Sequence, residues 1–412
     1  MRIGVLGTGG REHALQWGLM RSPDSEVVYA LSGNGGTMNN RLVDPKDHDA
    51  VATACAELGL DVLVVGPEQP LAAGLVDRMA TEPTRVFGPV RDAAQLESSK
   101  LWAKQFMGRH RIPTATYEPV ASLQELAKSF REAEAGLVIK ADGLAAGKGV
   151  VVCREAEELS QAWEHVSTLC PEDRLFAEVC LSGWELSLVV ITDGKTWRAF
   201  PPTQDHKQLL DGDRGPNTGG MGAFTPVKRC DADLLRTIEA TIIEPTLGGL
   251  REEGIPYTGF LYFGLMITDA GPQVLEYNVR MGDPEAQVIL PALDGDLLEL
   301  LVAAMEGCLH STTPGFREEA FVDVVLASSG YPHVYPTGYP IHGLNDTSGS
   351  LVFHAGTRIE DETVVTAGGR VLNVVAAGAS LQEAIDRVYI DVGRIRFEGM
   401  TYRKDIGRRE GA

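Results

Sequence analysis

The first 95 residues repeat one pattern, in which a short run of β-branched and apolar residues is followed by a glycine-containing turn and then by a helical segment. Strands separated by helices predict βαβ units and a parallel sheet. In such sheets ligands bind at the carboxyl ends of the strands, and Gly9, Gly66 and Gly88 fall there. The predicted strands are Arg2–Leu6, Val27–Leu31, Asp61–Val65 and Arg85–Phe87.

The remaining chain departs from this pattern. Between Leu137 and Cys153, two apolar strands enclose a glycine-rich loop. From about residue 320 a smaller unit begins, with short strands followed by an amphipathic helix over Ser380–Ile395. A length of 412 residues suits roughly two to three domains. We therefore predict a multidomain protein of the α/β and α+β classes, with a parallel sheet in its N-terminal domain.

Amino-acid composition and net charge exclude some classes of binding partner. Hydrophobic residues make up 44% of the chain and charged residues 23%, which is typical of a globular protein. The formal net charge of −20 repels phosphate backbones at long range, so we expect no nucleic-acid partner. No apolar run approaches the roughly 18 residues of a membrane helix. Ile3–Leu6 predicts a strand and not a signal peptide, so we expect a cytoplasmic protein with no membrane partner and with reduced cysteines.

Two glycine-rich segments are similar to known nucleotide-binding motifs but lack residues that those motifs require. Gly7–Glu12 lacks the third glycine of a dinucleotide fingerprint, and no acidic residue ends the second strand. The helix N-terminus there suits either a phosphate or a purely structural turn. Gly143–Gly149 is one residue short of a P-loop, has a glycine in place of the Ser/Thr, and leads into the strand Val150–Cys153 instead of a helix.

Cations and hard oxygen donors nevertheless cluster in the sequence. The glycines Gly143, Gly147 and Gly149 would let backbone amides approach a triphosphate, which Lys140 and Lys148 could neutralise, although an ordinary hairpin with exposed lysines also fits.

Glu276 and Asn278 lie two apart on a predicted strand, so both face one side. A carboxylate and an amide oxygen suit Mg²⁺, and a solvent-facing polar pair is the alternative. Arg280, Asp283 and Glu285 follow beside a glycine and a proline, a combination that favours a site over a solvated surface.

Two further segments carry polar groups. Glu178 and Glu185 flank a turn whose strand edge could contact an adenine and a ribose, or could be a surface hairpin. Asp205-His206-Lys207 precedes the glycine-rich Gly215–Gly222, a loop type that is costly to order and suits closure over a ligand. A lone histidine would more often be structural, but the neighbouring lysine and loop favour a functional role for His206.

Together these segments resemble the ATP-grasp superfamily and, within it, the glycinamide ribonucleotide synthetase family. The resemblance covers essentially the whole chain, and Gln204-Asp205-His206-Lys207 followed by Gly215–Gly222 is its most family-specific part. The matching segments are Gly7–Ala14, Gly66-Pro67-Glu68, Ile139–Val150, Gln204–Gly222, Leu275–Glu285, His354-Ala355-Gly356-Thr357, Gly368-Gly369-Arg370 and Arg403–Gly407.

The resemblance implies a domain layout. Residues 1–99 would form the N-terminal pre-ATP-grasp domain, and residues 100–306 the ATP-grasp domain with a small lid over about 114–186. Residues 320–412 would form the C-terminal domain, which packs back on the N-terminal one.

The resemblance also implies ligand contacts. Lys100 and Lys140 match the lysines that hold ATP phosphates, and Glu276 and Asn278 match ligands of Mg²⁺ or Mn²⁺. Phe263-Gly264-Leu265 lacks the acid that many relatives carry on the preceding strand, so a second metal would have fewer protein ligands. The other implied ATP contacts are the adenine strand with Glu178, Val179 and Leu181, and the ribose contact Glu185.

The implied reaction joins glycine to 5-phosphoribosylamine with ATP, giving glycinamide ribonucleotide, ADP and phosphate through glycyl phosphate, in purine synthesis. Phosphoryl transfer needs positioning and charge neutralisation and no protein nucleophile. The expected catalytic residues are Arg280, Asp205, His206 and Lys207. Gly9, Gly10 and Arg11 are expected at the sugar phosphate, Asp205, Asp283 or Glu285 at the glycine ammonium, and Asn217, Thr218 and Gly219 among the substrate contacts.

Two other functions remain open at this stage. One is another ATP-grasp ligase of purine synthesis that activates bicarbonate or formate. The other is a nucleotide sensor that binds ATP without turnover.

Overall fold

The first domain of the computed structural model, which describes residues 1–133, 135–144, 149–170 and 174–408, is built on a parallel five-stranded sheet. The strand order is β3-β2-β1-β4-β5, so it reverses between β1 and β4. The carboxyl ends of these two strands therefore form the crevice where such sheets bind ligands. The strands are β1 Arg2–Gly7, β2 Val27–Ser32, β3 Asn40–Arg41, β4 Val62–Val65 and β5 Arg85–Phe87.

Helices follow the strands of this sheet, as the sequence predicts. Helix α2 begins at a capping aspartate, Asp47, which accepts from the amide of Ala50, and ends at Gly59 in the left-handed conformation (φ 60°). The helices are α1 Gly10–Leu19, α2 His48–Leu58, α3 Glu68–Ala72, α4 Leu75–Arg78 and α5 Arg91–Ser98, and α6 Lys100–Arg109 leads out of the domain.

A small antiparallel sheet of order β6-β9-β7-β8 forms a second body, within the range predicted for the lid. Its apolar side chains form a separate cluster that includes Leu126, Ile139 and Val166. The elements are β6 Tyr117–Pro119, α7 Leu123–Glu132, β7 Leu137–Ala141, β8 Val150–Cys153, α8 Leu159–Ser167 and β9 Leu175–Val179.

The middle of the chain contains a four-stranded antiparallel sheet of order β11-β10-β16-β17. A register shift opposite Gly264 and Leu265 interrupts the pairing of β16 with β17 just before Glu276. The strands are β10 Trp184–Thr192, β11 Trp197–Ala199, β12 Gln204–Asp205, β13 Gln208–Leu210, β14 Arg214–Asn217, β15 Gly222–Thr225, β16 Gly259–Thr268, β17 Gly271–Asn278, β18 Leu293–Asp294 and β19 Gly315–Phe316. The helices are α9 Ala232–Ile238, α10 Glu244–Glu252, α11 Ala286–Ala292 and α12 Leu297–Met305, with a π-helical segment at Glu239–Ile243.

The C-terminal sheet includes strands from two parts of the chain. Its order is β12-β15-β20-β24-β21, with β25 beside β20, so β12 and β15 join it from the middle of the sequence. The predicted range of 320–412 leaves these two strands out, because elements of two and four residues carry no clear periodicity. The remaining elements are β20 Ala320–Ser328, β21 Leu351–His354, β22 Thr357–Glu360, β23 Thr363–Thr366, β24 Arg370–Gly378, α13 Leu381–Val392 and β25 Met400–Thr401.

None of the helices in the described part of the chain has the length and apolar character that crossing a bilayer requires.

Candidate active site

A cleft of about 880 Å³ lies where the crevice of the first sheet, the lid, the β16–β17 hairpin and loops of the C-terminal sheet meet. It collects residues from distant parts of the sequence. The predicted site residues that line it are Gly9, Arg11, Lys100, Lys140, Gly149, Glu178, Asp205, Lys207, Asn217, Thr218, Gly219, Glu276, Asn278, Arg280, Asp283 and Glu285.

Other predicted residues are placed outside this lining or outside the described residues. Gly147 and Lys148 fall among residues that the structure does not describe. The described residues that do not line the cleft are Gly10, Gly143, Val179, Leu181, Glu185 and His206. His206 is buried, with its ring 6.1 Å from that of Phe224. The cleft therefore brings together most of the predicted phosphate, metal and substrate residues and only Glu178 of the adenine strand.

Two lysines hold the carboxylate of Glu178, which is buried on β9. Lys140 Nζ lies 2.9 Å from its Oε2, and Lys104 Nζ lies 3.0 Å from its Oε1. Lys104 also donates to Thr114 Oγ1 at 2.7 Å. Burial lowers the pKa of Lys104 to about 8. The Glu178 side chain is thus ion-paired, and any adenine contact of this strand falls to its backbone.

Lys104 was missed by the sequence reasoning. It follows Lys100 by four residues on one helix, so the two share a face, and that spacing was the available signal. Lys100 Nζ donates to the carbonyl of Gly143 at 2.7 Å, and its burial lowers its pKa. Three lysines of the cleft, Lys100, Lys104 and Lys140, therefore concentrate positive charge between the lid and the central sheet.

Glu276 and Asn278 both reach the cleft from β17, as their spacing predicts. Gly264 lies opposite Glu276, and a Cβ on it would stand 3.0 Å from Glu276 Cγ, so a side chain at this position would require Glu276 to shift. No group of three or more His, Cys, Asp or Glu side chains arranged for a metal occurs in the described ranges. Glu276 and Asn278 fit an ion that completes its shell with water and phosphate oxygens, as Mg²⁺ does.

Arg280 lies beside these oxygen donors and is held by two carboxylates. Its Nη2 donates to Glu97 Oε1 at 2.7 Å, and its Nε to Glu68 Oε2 at 3.2 Å. Glu97 also accepts from the amide of Val279 at 2.8 Å, and the Asn278 carboxamide fits with its nitrogen 2.9 Å from Glu97 Oε1. Burial raises the pKa of Glu97 to about 7, against the effect of Arg280.

The family-specific segment places Asp205 and Lys207 in the cleft. Lys207 Nζ lies 2.5 Å from Glu185 Oε2 and 3.2 Å from Asp205 Oδ1. Burial raises the pKa of the Asp205 carboxyl to about 7 despite the Lys207 ammonium. Glu185, expected at a ribose, is here a partner of Lys207. This arrangement can hold a small zwitterion, because a carboxylate and an ammonium lie next to each other.

Asp283 and Glu285 also line the cleft. Asp283 Oδ2 lies 3.2 Å from Arg370 Nη2, and Asp283 Oδ1 accepts from Gln287 Nε2 at 2.8 Å. Although burial opposes ionisation, the charges of Arg370 and Arg11 keep the pKa of Asp283 below its usual value. Arg370 was not among the predicted site residues, although Gly368-Gly369-Arg370 is one of the segments that carry the resemblance.

At the N-terminus of α1 the amide of Gly9 is already occupied by a side chain of the same helix. Gly9 donates its N–H to Glu12 Oε2 at 2.6 Å, and Arg11 Nε donates to Glu12 Oε1 at 2.5 Å. A Cβ on Gly66 would stand 2.0 Å from Glu12 Oε1, so this glycine makes room for the carboxylate. Glu12, which takes the third glycine position of the dinucleotide fingerprint, therefore accepts hydrogen bonds from the Gly9 amide and from Arg11. Gly10 does not line the cleft.

A lid over a β-hairpin with oxygen donors, facing a set of lysines, is the arrangement of an ATP-grasp protein. The chain matches three family descriptions in sequence order: the phosphoribosylglycinamide synthetase N domain over 1–97, its ATP-grasp (A) domain over 98–286 and its C domain over 321–409. The chain belongs to the phosphoribosylglycinamide synthetase family.

Individual relatives agree with this assignment. The phosphoribosylamine–glycine ligase of Chlorobaculum tepidum is 46% identical over 99% of both chains. A crystal structure of phosphoribosylamine–glycine ligase from Thermotoga maritima superposes with a TM-score of 0.84, at 36% identity over 98% of this chain and 100% of that one. The trifunctional purine biosynthetic protein adenosine-3 of Gallus gallus is 46% identical over 99% of this chain, which spans 42% of that longer relative.

Proposed function

We propose that the protein ligates glycine to 5-phosphoribosylamine at the expense of ATP, releasing glycinamide ribonucleotide, ADP and phosphate. Family membership over nearly the whole chain carries this proposal. The site supports it, because lysines, an arginine and hard oxygen donors face one cleft. These are the groups that a phosphoryl transfer requires.

In the first step a carboxylate oxygen of glycine attacks the γ-phosphorus of ATP, and the bond to the β-phosphate oxygen breaks. Lys100, Lys104 and Lys140 bind the phosphates, and Arg280 neutralises the transferred group. Glu276 and Asn278 would hold Mg²⁺, which when bound would neutralise phosphate charge. Asp205 and Asp283 hold the glycine ammonium, and the Lys207 ammonium beside Asp205 favours the ionised form of that carboxyl against the effect of burial.

In the second step the amine nitrogen of 5-phosphoribosylamine attacks the acyl carbon of glycyl phosphate. Phosphate leaves, and the amine loses a proton to form the amide. Because an acyl phosphate hydrolyses readily, water has to be kept out between the two steps. Residues of the lid and the segment 217–219 at the end of β14 both line the cleft and suit that task.

ADP release with 5-phosphoribosylamine and one of three acids tests the proposal. We expect turnover with glycine and none with bicarbonate or formate, and removal of divalent metal by a chelator should stop it. Turnover with bicarbonate or formate but not with glycine would show that glycine is not the acid that the enzyme activates. ATP binding without any turnover would indicate a sensor.

Lys140→Ala tests the phosphate role within the same assay. Loss of a fixed cation at the transferring phosphate should reduce turnover by about a hundredfold or more. Lys195→Ala, at an exposed lysine outside the cleft, is the matched control and should keep the wild-type rate. Equal rates in both variants would remove Lys140 from the mechanism.

A further inference from the structure

Part of the cleft lining takes no part in the two reaction steps described above. It is formed by three segments that frame the C-terminal sheet: residues 331–335, 355–356 and 367–370. We call these the C-terminal wall. Arg370 of this wall contacts Asp283 and Gly219, which are two of the proposed substrate contacts.

Arg370 supplies the positive charge of this wall. Its Nη1 donates to the carbonyls of Gly219 at 2.6 Å and Asp283 at 2.7 Å, and its Nη2 pairs with Asp283 Oδ2. Gly219 in turn donates its amide to Tyr331 Oη at 3.0 Å. The guanidinium is thus held rigidly between the wall and two proposed substrate contacts.

Backbone donors stand beside this guanidinium. The neighbouring amides are used internally: Ala355 donates to Val371, Gly356 to Arg370 and Ala367 to Gly356. Gly368 and Gly369 also line the cleft, and their N–H groups donate to no protein acceptor within the described ranges. Two consecutive unused amides next to an arginine form the kind of concavity that binds phosphate.

Side chains would destroy this concavity. A Cβ on Gly369 would stand 2.3 Å from Tyr331 Cδ2, and one on Gly368 would stand 2.9 Å from Gly356 Cα. Any other residue at position 368 would therefore push against Gly356, and any other residue at position 369 would push against Tyr331.

The N-terminus of α1 compares poorly as a phosphate site. There the Gly9 amide and Arg11 are already satisfied by the buried carboxylate of Glu12. Each arginine thus has a carboxylate partner, Glu12 for Arg11 and Asp283 for Arg370. The difference lies in the amides, because the Gly9 amide donates to Glu12 whereas those of Gly368 and Gly369 donate to no protein acceptor within the described ranges.

We propose that the C-terminal wall binds the 5-phosphate of the sugar-amine substrate, through Arg370 and the amides of Gly368 and Gly369. This inference rests on the proposed function, because it takes the second substrate to be a sugar phosphate. A phosphate held there would leave the amine free to reach an acyl group bound at Asp205 and Asp283. Binding of this substrate would then determine specificity for the phosphorylated form.

Equilibrium binding of ribose 5-phosphate and of ribose measures this preference without turnover. We expect wild-type protein to prefer ribose 5-phosphate and Arg370→Gln to lose about tenfold or more in affinity for it, with ribose affinity unchanged. A merely structural role of Arg370 would weaken both ligands alike and would overturn the proposal. Arg358→Gln, the same change at an exposed arginine of the C-terminal sheet region, is the matched control.

Wild-type protein provides a second measurement that does not depend on a variant folding. Ribose 5-phosphate should slow amide hydrogen exchange of Gly368 and Gly369, and ribose should not. Unchanged exchange, or loss of the phosphate preference in Arg11→Gln but not in Arg370→Gln, would overturn the proposal. Ligase turnover without any preference for ribose 5-phosphate would refute the subsite alone, whereas an Arg370-dependent preference without ligase turnover would refute the proposed function alone.

Discussion

At the scale of single residues, charged groups of this cleft are paired before any substrate arrives. Glu178 joins Lys104 and Lys140, Lys207 joins Asp205 and Glu185, and Arg280 joins Glu68 and Glu97. Burial without a partner would cost several kcal/mol for each charge, so each pair holds its members in place at a tolerable cost. The sequence pointed to Glu178, Lys140, Lys207, Asp205, Glu185 and Arg280, but not to Lys104 or Glu97 and not to any of these pairings.

Glu97 illustrates a residue that acts through others. It contacts Arg280, the amide of Val279 and the carboxamide of Asn278, so Glu97→Gln should disturb the orientation of both Arg280 and a proposed metal ligand. We expect the Mg²⁺ concentration for half-maximal activity to rise about tenfold, since residues that orient metal ligands have effects of this size. Titration of activity with Mg²⁺ at saturating ATP measures it. Glu26→Gln, in an exposed pair with Arg2, should change nothing, and an unaltered Mg²⁺ requirement in Glu97→Gln would refute the positioning role.

Glu12 should matter mainly for stability. Glu12→Ala would leave Arg11 buried without its carboxylate and the Gly9 amide without its acceptor. Breaking a buried pair on one side costs about 3 kcal/mol or more in the free energy of unfolding, which urea denaturation would measure. Glu57→Ala removes a carboxylate from the exposed pair with Arg41 and should cost less than about 1 kcal/mol. Equal losses in the two variants would mean that the Glu12 pair contributes no more than a surface one.

At the scale of elements, the lid has its own small core. Its buried cluster contains only residues between 120 and 177, and Leu126 is fully buried in it. Small clusters of this kind open locally with less free energy than the whole protein needs to unfold.

Leu126→Ala should therefore loosen the lid selectively. The cavity should cost the lid about 3 kcal/mol, which speeds amide exchange over residues 117–179 and raises the KM for ATP. Val388→Ala, in the core beneath the C-terminal sheet, is the control and should leave lid exchange unchanged. Uniformly faster exchange across the protein in Leu126→Ala would show that the lid does not open on its own.

At the scale of the whole molecule, a half-buried and a buried histidine, His13 and His354, join the first and last domains. His13 on α1 accepts from the amide of His354 at 2.8 Å, and their rings lie 5.7 Å apart. Burial lowers the pKa of His13 to about 3 and that of His354 to about 4. Both are neutral in the folded protein at pH 5, whereas the unfolded chain binds a proton at each.

The two histidines should consequently cost no stability above about pH 6.5. As the pH is lowered toward 4 the free energy of unfolding should fall, because the unfolded chain binds more protons than the folded one in that window. Each histidine should contribute a loss of about 2 kcal/mol between pH 7 and pH 5. Unfolding free energies at the two pH values would show this, and His13→Asn should lose less on acidification than wild type. An equal pH dependence in wild type and His13→Asn would contradict the assignment.

The amino-acid sequence by itself determined the local features of this protein. Alternating apolar runs and glycine turns specify the parallel sheet and its ligand-facing loops, and a spacing of two places Glu276 and Asn278 on one face, because these depend only on backbone periodicity. The tertiary structure alone decided which charges meet: that Glu12 occupies the α1 loop, that Glu97 holds Arg280, and that Arg370 reaches Gly219 across 151 residues. The physical reason is that burial and pairing of charges depend on three-dimensional proximity, which no local pattern encodes.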